Sequence, residues 1–416
     1  MSNLRQRIPD VPDSRGMENA LRRARQLADL RWTPVAPMPA IVSAGDEEKR
    51  IYKTFFRPWC PQTGANYSAA RFDEKYVGSS ISFETYMTAL SNPNSVLYTR
   101  SLHGKALLTS AYYGTVCSQF ASYMFDLPFH IDCQQWPFLN GIEQINPEPL
   151  ENLRLCDILN ERTKHTAVIT GITRDEDGTV LDITVTDSTL PQVRTKTYLP
   201  LEFKNYWLKN NYEVLRYQKL DWVTYTPDPW VRLEGDPEAE PPVPNPVLMP
   251  DYGNKSNYLL GETVVISVFD PACGAVVLSG ENGEDEVIPV PENRQIELHP
   301  GKIGFYQVRA VLATGKSEPV EFCVVDAAAS TDNAMYREGE TVRVSLSCAS
   351  DDELLGWVVK TPGFAHVWGY PRDERGVIPG GGTVPPGEYL IIGLYKNAFG
   401  VYRTKPSPVF AVQKEA

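Results

Sequence analysis

An internal repeat restricts what the second half of the chain can fold into. The segment Tyr258–Val268 recurs as Tyr336–Leu346, and around each copy short apolar runs alternate with Gly and Pro turns. Repeats of about eighty residues with this alternation are typical of antiparallel strands joined by tight turns. The pattern predicts two all-β sandwiches of immunoglobulin-like type, at 251–326 and 327–416.

The second repeat also carries a cluster of aromatic and imidazole side chains. Its members are Trp357, Phe364, His366, Trp368 and Tyr370. We favour the interpretation that the large rings fill the core of a small sandwich. The alternative is a glycan-binding surface, in which sugar rings stack on the aromatic faces.

An acidic, proline-rich segment at 236–250 separates the repeats from the rest of the chain. Such a composition gives a fairly stiff linker. The residues before it divide into an N-terminal helical arm at 1–50 and a larger domain at 51–235. Within the arm, apolar residues from Gly16 onward recur at helical spacing with arginines on the other face, so we expect an amphipathic helix packed on the larger domain.

Cys117 is the candidate nucleophile of the larger domain. It follows a glycine turn and opens a segment whose apolar residues repeat every three to four positions, which predicts a helix. We expect Thr115 to cap this helix. The helix dipole and the unpaired N–H groups of a first turn favour a thiolate, and the N–H of Ser118 is placed to stabilise an oxyanion.

His165 is the candidate base among the five histidines of the chain. It begins a β-branched strand, and Asp177-Gly178 joins that strand to a second one in a predicted hairpin. The hairpin returns Asp187 to the side of His165, where the carboxylate can orient the imidazole. Asp182 and Ser188 are the alternatives for this third position. His130, Cys133 and Cys156 are interpreted as structural residues of loops or core.

At these residues the chain resembles the NlpC-type cell-wall cysteine peptidases and the related CHAP amidases, over roughly 55–230. Cys117-Ser118 followed by an apolar helix is similar to the nucleophile motif of that family. Leu155–Leu159 is similar to its Gly-Asp-Ile-Leu strand, and His165–Gly171 to its histidine strand. The segment Gly64–Ser68 resembles one in which a tyrosine, here Tyr67, lies near the nucleophile. Val116 stands where the family has an aspartate.

The resemblance implies an α+β papain-like catalytic domain that precedes the two sandwiches. It also implies a cysteine hydrolase that cleaves an amide bond in peptidoglycan peptides through Cys117, His165 and Asp187, with a thioester intermediate. The Ser118 N–H and the Tyr67 phenol would bind the oxyanion. No metal and no cofactor are expected. The alternative is a non-catalytic binding or adhesion protein built on a papain-like scaffold.

Composition limits the partners and the redox chemistry. The formal net charge is -12, which disfavours nucleic acid, and no apolar run is long enough to suggest a membrane span. The seven cysteines have no paired spacing, so a disulfide framework is not expected, although Cys273 and Cys323 are a conceivable pair. The segment 1–15 lacks the zones of a secretory signal, so a protein that stays in the cytoplasm and one that leaves by another route are both open interpretations, while the resemblance implies action at the bacterial cell wall.

Overall fold

The chain forms two compact units, of which the first comprises Met1–Pro137 with Gly141–Pro244 and the second Phe138–Asn140 with Asn245–Ala416. The break between them falls within the predicted linker at 236–250. The computed structural model describes residues 6–38, 56–68, 76–93, 95–99, 113–127, 130–238, 248–250, 256–280, 283, 285–348, 352–362, 367–368, 377–378 and 386–414.

Helices and strands both contribute to the first unit. Helices α1 to α5 span Arg15–Ala28, Phe83–Ser91, Val96–Thr99, Cys117–Met124 and Pro200–Tyr206. Strands β1 to β9 span Ile8–Pro9, Arg31–Trp32, Gln62–Thr63, Ile142–Ile145, Ile158–Glu161, His165–Arg174, Val180–Ser188, Val193–Tyr198 and Glu213–Tyr217. In the part that the structure describes, the main sheet runs β4-β9-β5-β6-β7-β8, with β1 added at the end of β6.

Helix α1 is the amphipathic helix that the sequence predicts from Gly16 onward. The Ser14 hydroxyl caps it by accepting a hydrogen bond from the Met17 N–H at 3.2 Å. Its buried face includes Met17, Ala20, Ala24 and Leu27 and packs against α4, which in turn packs against β6 and β7. The first unit is therefore an α+β arrangement, with α4 enclosed between α1 and the antiparallel sheet.

Strands β6 and β7 form the predicted hairpin. The Asp175 carboxylate holds its turn by accepting hydrogen bonds from the N–H groups of Asp177 and Thr179, at 3.1 and 2.9 Å. Gly178 has a φ of +83°, a conformation that glycine adopts without the strain of a side chain. The hairpin contains two register shifts, one between Thr173 and Arg174 and one between Ile169 and Gly171.

A buried ion pair fixes the start of β5, the strand beside β6. The side chain of Asp157 is fully buried, and both of its oxygens accept hydrogen bonds from Arg216, at 2.7 and 2.8 Å. The Arg154 N–H donates to the same carboxylate at 2.8 Å. Burial raises the pKa of Asp157, and these hydrogen bonds oppose that rise. Asp157 directly precedes β5 and Arg216 belongs to β9, so the ion pair joins the start of β5 to β9.

The second unit begins with a two-sheet sandwich. Its strands β10 to β18 span Leu248–Pro250, Asn257–Leu259, Val264–Val268, Ala275–Gly280, Asp285–Pro289, Gln295–Leu298, Gly304–Leu312, Gly315–Lys316 and Val320–Val325. Among the described residues, one sheet runs β10-β12-β15 and the other β11-β18-β16-β13-β14, with β17 paired to β16. Val264, Ile266 and Phe322 lie in the core between these sheets.

A second sandwich follows with the same topology. Its strands β19 to β27 span Ala327–Thr331, Met335–Arg337, Val342–Cys348, Glu353–Lys360, Val367–Trp368, Val377–Ile378, Gly387–Asn397, Gly400–Arg403 and Phe410–Gln413. In the described part of the chain the sheets run β19-β21-β24 and β20-β27-β25-β22-β23, with β26 on β25. Each strand of the first sandwich therefore has a counterpart in the second.

The repeated tyrosine of the sequence occupies the same place in both sandwiches. Tyr258 packs edge-on against Phe322 at 5.5 Å between ring centroids, and Tyr336 packs edge-on against Phe410 at 5.7 Å. The strand that carries each tyrosine also pairs in parallel with the last strand of its sandwich. The prediction of tandem β-sandwiches is thus confirmed.

The aromatic cluster of the second sandwich is described only in part. Trp357 is buried in the core with Val342 and Phe410, as the core interpretation predicts. Phe364, His366 and Tyr370 lie outside the described residues, as does the side chain of Trp368.

All seven cysteines lie in the described residues and are free thiols. The conceivable Cys273–Cys323 disulfide is therefore wrong. The Cys273 thiol instead donates to the Ala275 carbonyl at 3.1 Å, inside the core of the first sandwich.

Replacing Asp157 with Ala tests the importance of its ion pair. The substitution leaves the Arg216 guanidinium without its partner in a mostly buried position, so we expect the first unit to lose about 3–5 kcal/mol of unfolding free energy. Urea denaturation of the full chain measures the change. Lys204→Gln is the control, because it breaks the exposed Lys204–Glu148 pair and should cost less than about 1 kcal/mol. Equal small losses in both variants would show that the buried pair does not support the unit.

Candidate active site

Helix α4 begins at Cys117, as predicted, but Thr115 does not cap it. The residue at the cap position is Val116, which has an extended backbone and offers no side-chain hydrogen bond. Thr115 lies one residue before the cap position. Its backbone N–H and carbonyl are both hydrogen-bonded to the segment that carries Tyr67. Its N–H donates to the Asn66 carbonyl at 3.0 Å, and its carbonyl accepts from the Ser68 N–H at 3.2 Å. No side chain at the cap position accepts a hydrogen bond from the first-turn N–H groups of α4, so these groups can bind another acceptor.

The alternative third-position residue Ser188 supports the start of α4 instead of facing the imidazole. Its buried hydroxyl donates to the Thr115 carbonyl at 2.8 Å, which ties the end of β7 to the chain two residues before Cys117. Asp182, the other alternative, lies near the turn of the hairpin and forms an ion pair with Arg7. Among the described residues, neither of them forms a hydrogen bond or ion pair with His165.

Asp187 is the residue that contacts His165. Its Oδ2 lies 2.8 Å from His165 Nε2, and its Oδ1 accepts a hydrogen bond from Arg194 Nε at 3.2 Å. The side chains of His165 and Asp187 are 18% and 6% exposed, so the pair is shielded from water. Because Nε2 is occupied by the carboxylate, Nδ1 is the ring nitrogen left for Cys117.

The two register shifts of the hairpin place these side chains on one face. The shift near the turn adds Leu181 to β7, and the second adds Thr170 to β6, so the two cancel. On the side of the two shifts away from the turn, Val168 pairs with Thr186. Asp187 therefore lies opposite Ala167, which is two residues from His165 along β6. Alternate residues of a strand share a face, so His165 and Asp187 meet diagonally. With the first shift alone, Asp187 would lie on the opposite face.

Tyr67 lies beside the residue that precedes the nucleophile. It forms a parallel bridge with Thr115, and it packs against the small cluster of Tyr76 and Val116. Its N–H donates to the Pro191 carbonyl at 2.8 Å, which fixes the backbone next to the loop between β7 and β8. The structure thus places Tyr67 close to the start of α4, as the resemblance implied.

Ser118 has two polar groups in different roles. Its hydroxyl lies 2.7 Å from His130 Nε2, and that imidazole packs edge-on against Tyr76. Its N–H belongs to the first turn of α4 and has no acceptor within the helix. His130, interpreted from the sequence as a structural loop residue, therefore contacts the residue next to the candidate nucleophile.

A second thiol, Cys133, lies next to Cys117, a contact that the interpretation of Cys133 as a structural residue did not predict. The Sγ atoms of Cys117 and Cys133 are 3.9 Å apart, and both side chains are buried. The two residues belong to different segments, a helix start and a loop, so no periodic pattern connects them. The contact follows only from how that loop folds back over α4.

An aromatic wall covers the imidazole. The Trp207 ring stacks on His165 at 6.3 Å between centroids with an interplanar angle of 14°, and Tyr212 approaches edge-on at 6.5 Å. Trp207 is itself buried. The wall lowers the local polarity, which strengthens the interactions between His165, Asp187 and Cys117.

The electrostatics of the cluster favour a thiolate and an imidazolium. The hydrogen bond with Cys133 is the main cause that lowers the pKa of Cys117. Burial opposes it, and His165 lowers the pKa further, so the net shift is well below the usual range. Burial alone would lower the pKa of His165, but Asp187 and Cys117 outweigh it and raise that pKa to about 10. Both shifts favour the charged forms, a thiolate at Cys117 and an imidazolium at His165.

Two further observations bear on possible ligands. Within the described ranges, no group of three or more His, Cys, Asp and Glu side chains is placed to hold a metal ion. In the same part of the chain, no helix is both long enough and apolar enough to cross a bilayer.

Comparisons with known proteins identify no family. No protein-family model and no curated protein matches the chain. Among solved structures, fibronectin(III)-like modules of Clostridium thermocellum CbhA are 13% identical and cover 40% of this chain and 94% of their own, with a TM-score of 0.23. Murine CEACAM1b is 11% identical and covers 40% of this chain and all of its own, with a TM-score of 0.15. TM-scores this low carry no inference about fold or function.

We predict that iodoacetamide alkylates Cys117 at a pH well below that needed by the exposed Cys60. The thiolate is the reactive form, and the lowered pKa of Cys117 keeps it present at a lower pH than in an ordinary thiol. Peptide mass spectrometry after timed alkylation measures both residues in one sample. His165→Ala should move the profile of Cys117 upward, and Asp187→Asn should move it less. Equal profiles for Cys117 and Cys60 would contradict the charged pair.

Proposed function

We propose that the first unit is a papain-like cysteine hydrolase of the NlpC type that cleaves an amide bond in peptidoglycan peptides. One observation carries this proposal: Cys117 begins a helix next to His165, and His165 is held at 2.8 Å by Asp187. A helix-start thiol, an imidazole and a carboxylate in that order are the parts of a cysteine nucleophile with its base and orienting acid. The motif resemblance of the sequence supports the choice of substrate class.

The first chemical step is attack by the Cys117 thiolate on the carbonyl carbon. A carbon–sulfur bond forms, and the π electrons of the carbonyl move to its oxygen. In this proposal the Ser118 N–H, in the first turn of α4, stabilises the oxyanion, and the Tyr67 phenol is the second donor. Asp187 keeps the imidazolium oriented while the negative charge leaves the sulfur.

Proton transfer by His165 completes both halves of the reaction. The imidazolium gives its proton to the leaving nitrogen, the carbon–nitrogen bond breaks, and a thioester and a free amine result. Neutral His165 then takes a proton from water, whose oxygen attacks the thioester carbon. The carbon–sulfur bond breaks, the acid leaves, and the thiolate–imidazolium pair returns.

The decisive experiment is digestion of purified peptidoglycan with the released fragments identified by mass spectrometry. We expect the wild type to release peptide fragments and Cys117→Ala to lose this activity by at least about a thousandfold, because the nucleophile is gone. Cys156→Ala is the matched control, since it removes another buried thiol of the same unit and should retain activity. Products from neither wild type nor variants would favour the alternative, a binding or adhesion protein on this scaffold.

The pH dependence of hydrolysis should follow His165 on its alkaline side. The imidazolium must protonate the leaving amine, so kcat/KM should fall as the pH rises through about 10, the pKa to which His165 is raised. Since the pKa of Cys117 is lowered, activity should persist into mild acid. A pH–rate profile of wild type tests both limbs, with protein unfolding checked by circular dichroism at each pH. Loss of activity as the pH rises through about 6.5, the ordinary pKa of histidine, would contradict the charged pair.

A further inference from the structure

The thiol of Cys133 has no assigned part in the proposed chemistry, yet it touches the reacting sulfur. Its Sγ lies 3.9 Å from that of Cys117, within the range of a sulfur hydrogen bond. A thiol is a weak donor to neutral acceptors, but hydrogen bonds to a charged acceptor are about twice as strong. A thiolate at Cys117 is such an acceptor.

Neighbouring residues hold Cys133 at its N–H, its carbonyl and its sulfur. Its N–H donates to Asp132 Oδ1 at 2.7 Å, and its carbonyl accepts from Asn160 Nδ2 at 3.0 Å. Thr166 Oγ1 lies 3.3 Å from its sulfur and 2.8 Å from Asn160 Oδ1. Asn160 and Thr166 face each other across β5 and β6, so the sheet that carries His165 also positions Cys133.

The proton of the thiol pair belongs on Cys133. The helix start and His165 surround Cys117 with positive charge, which favours the anion there. Asp132 lies next to Cys133, and the hydrogen bond with Cys117, burial and this carboxylate together raise the pKa of Cys133. With the proton on Cys133, its S–H lies within donating distance, 3.9 Å, of a Cys117 sulfur that carries negative charge.

We propose that Cys133 is a thiolate-stabilising residue, which donates its S–H to the Cys117 sulfur and so holds the nucleophile in its reactive form. This role rests on the proposed function, since it matters only if Cys117 acts as a nucleophile. The donor is present in the resting state and again when the thioester is hydrolysed, when negative charge returns to the sulfur.

Other titratable groups around the thiol pair are needed to interpret a pH profile. His165 approaches Cys117 from β6, with Asp187 and Arg194 behind its imidazole. Tyr212 approaches from the residue before β9, and Asp132 lies beside Cys133. None of these residues is altered in the test, so a change in the profile reports the loss of the Cys133 donor.

The test is the pH profile of iodoacetamide alkylation at Cys117 in the full chain, kept reduced with a phosphine and read by peptide mass spectrometry. The half-point of this profile is the pH at which Cys117 is alkylated at half its maximal rate. In Cys133→Ala the half-point should rise by about one to two pH units, because a hydrogen bond to a charged group is lost. Cys133→Ser keeps an O–H donor at this position, and its half-point should rise by less than half as much. Cys156→Ala, the matched control, should superimpose on wild type.

The outcomes separate this proposal from the proposed function. A low half-point in wild type that Cys133→Ala does not move would overturn the role of Cys133 and leave the nucleophile intact. Equal shifts in the Ala and Ser variants would assign the effect to packing and also overturn it. If the half-point of Cys117 in the wild type were that of an ordinary thiol, Cys117 would not be a thiolate in the resting state. That result would contradict the proposed function as well.

A measurement on the wild type covers the case in which Cys133→Ala does not fold. A thiol bonded to a thiolate has an S–H stretch at lower frequency than a thiol with no charged acceptor. Selective alkylation of Cys117 in mild acid removes the acceptor, so the infrared difference spectrum should show one S–H band moving to higher frequency. An unchanged S–H region would overturn the proposal.

Discussion

The candidate site depends on the register of the hairpin between β6 and β7. His165 begins one strand and Asp187 lies near the end of the other, so their contact requires that the pairing be correct over the full length of the hairpin. Since side chains alternate between faces, a shift by one residue moves the carboxylate to the far side of the sheet. The hairpin contains one added residue on each strand, and only together do they restore the register that the site requires.

Around this hairpin, the other contacts fix the nucleophile. Ser188, next to Asp187, holds the carbonyl of Thr115, and the helix that carries Cys117 starts two residues later. Strand β7 therefore orients the imidazole through Asp187 and positions the thiol through Ser188. This sharing explains why Ser188, an alternative for the third position by sequence, has a supporting role.

Burial gives the cluster its electrostatic character. Trp207 and Tyr212 pack on the imidazole, and α4 lies between α1 and the sheet, so the charges lie in surroundings of low polarity. In such surroundings an isolated charge is costly, and the groups compensate one another: Asp187 stabilises the imidazolium, and His165 and Cys133 stabilise the thiolate. The same principle applies to Asp157 and Arg216 at the neighbouring strand.

The sequence by itself determined the local elements and the residue types of the site. Helical periodicity placed α1 and α4, the Asp177-Gly178 turn placed the hairpin, and the repeat of Tyr258 at Tyr336 predicted the paired sandwiches. These signals are local or periodic, so they can be read without knowing how the chain packs.

The tertiary structure alone decided which distant residues touch. It placed Cys133 against Cys117 and His130 against Ser118, and it removed Thr115 from the cap position, because these contacts join separate segments with no periodic relation. The sequence puts Asp187 first and leaves Asp182 and Ser188 as alternatives; the contact of Asp187 with His165 depends on cancelling register shifts, which leave no reliable mark in the sequence. Contacts set by packing between segments depend on the whole fold, whereas turns and periodicities depend on a few neighbouring residues.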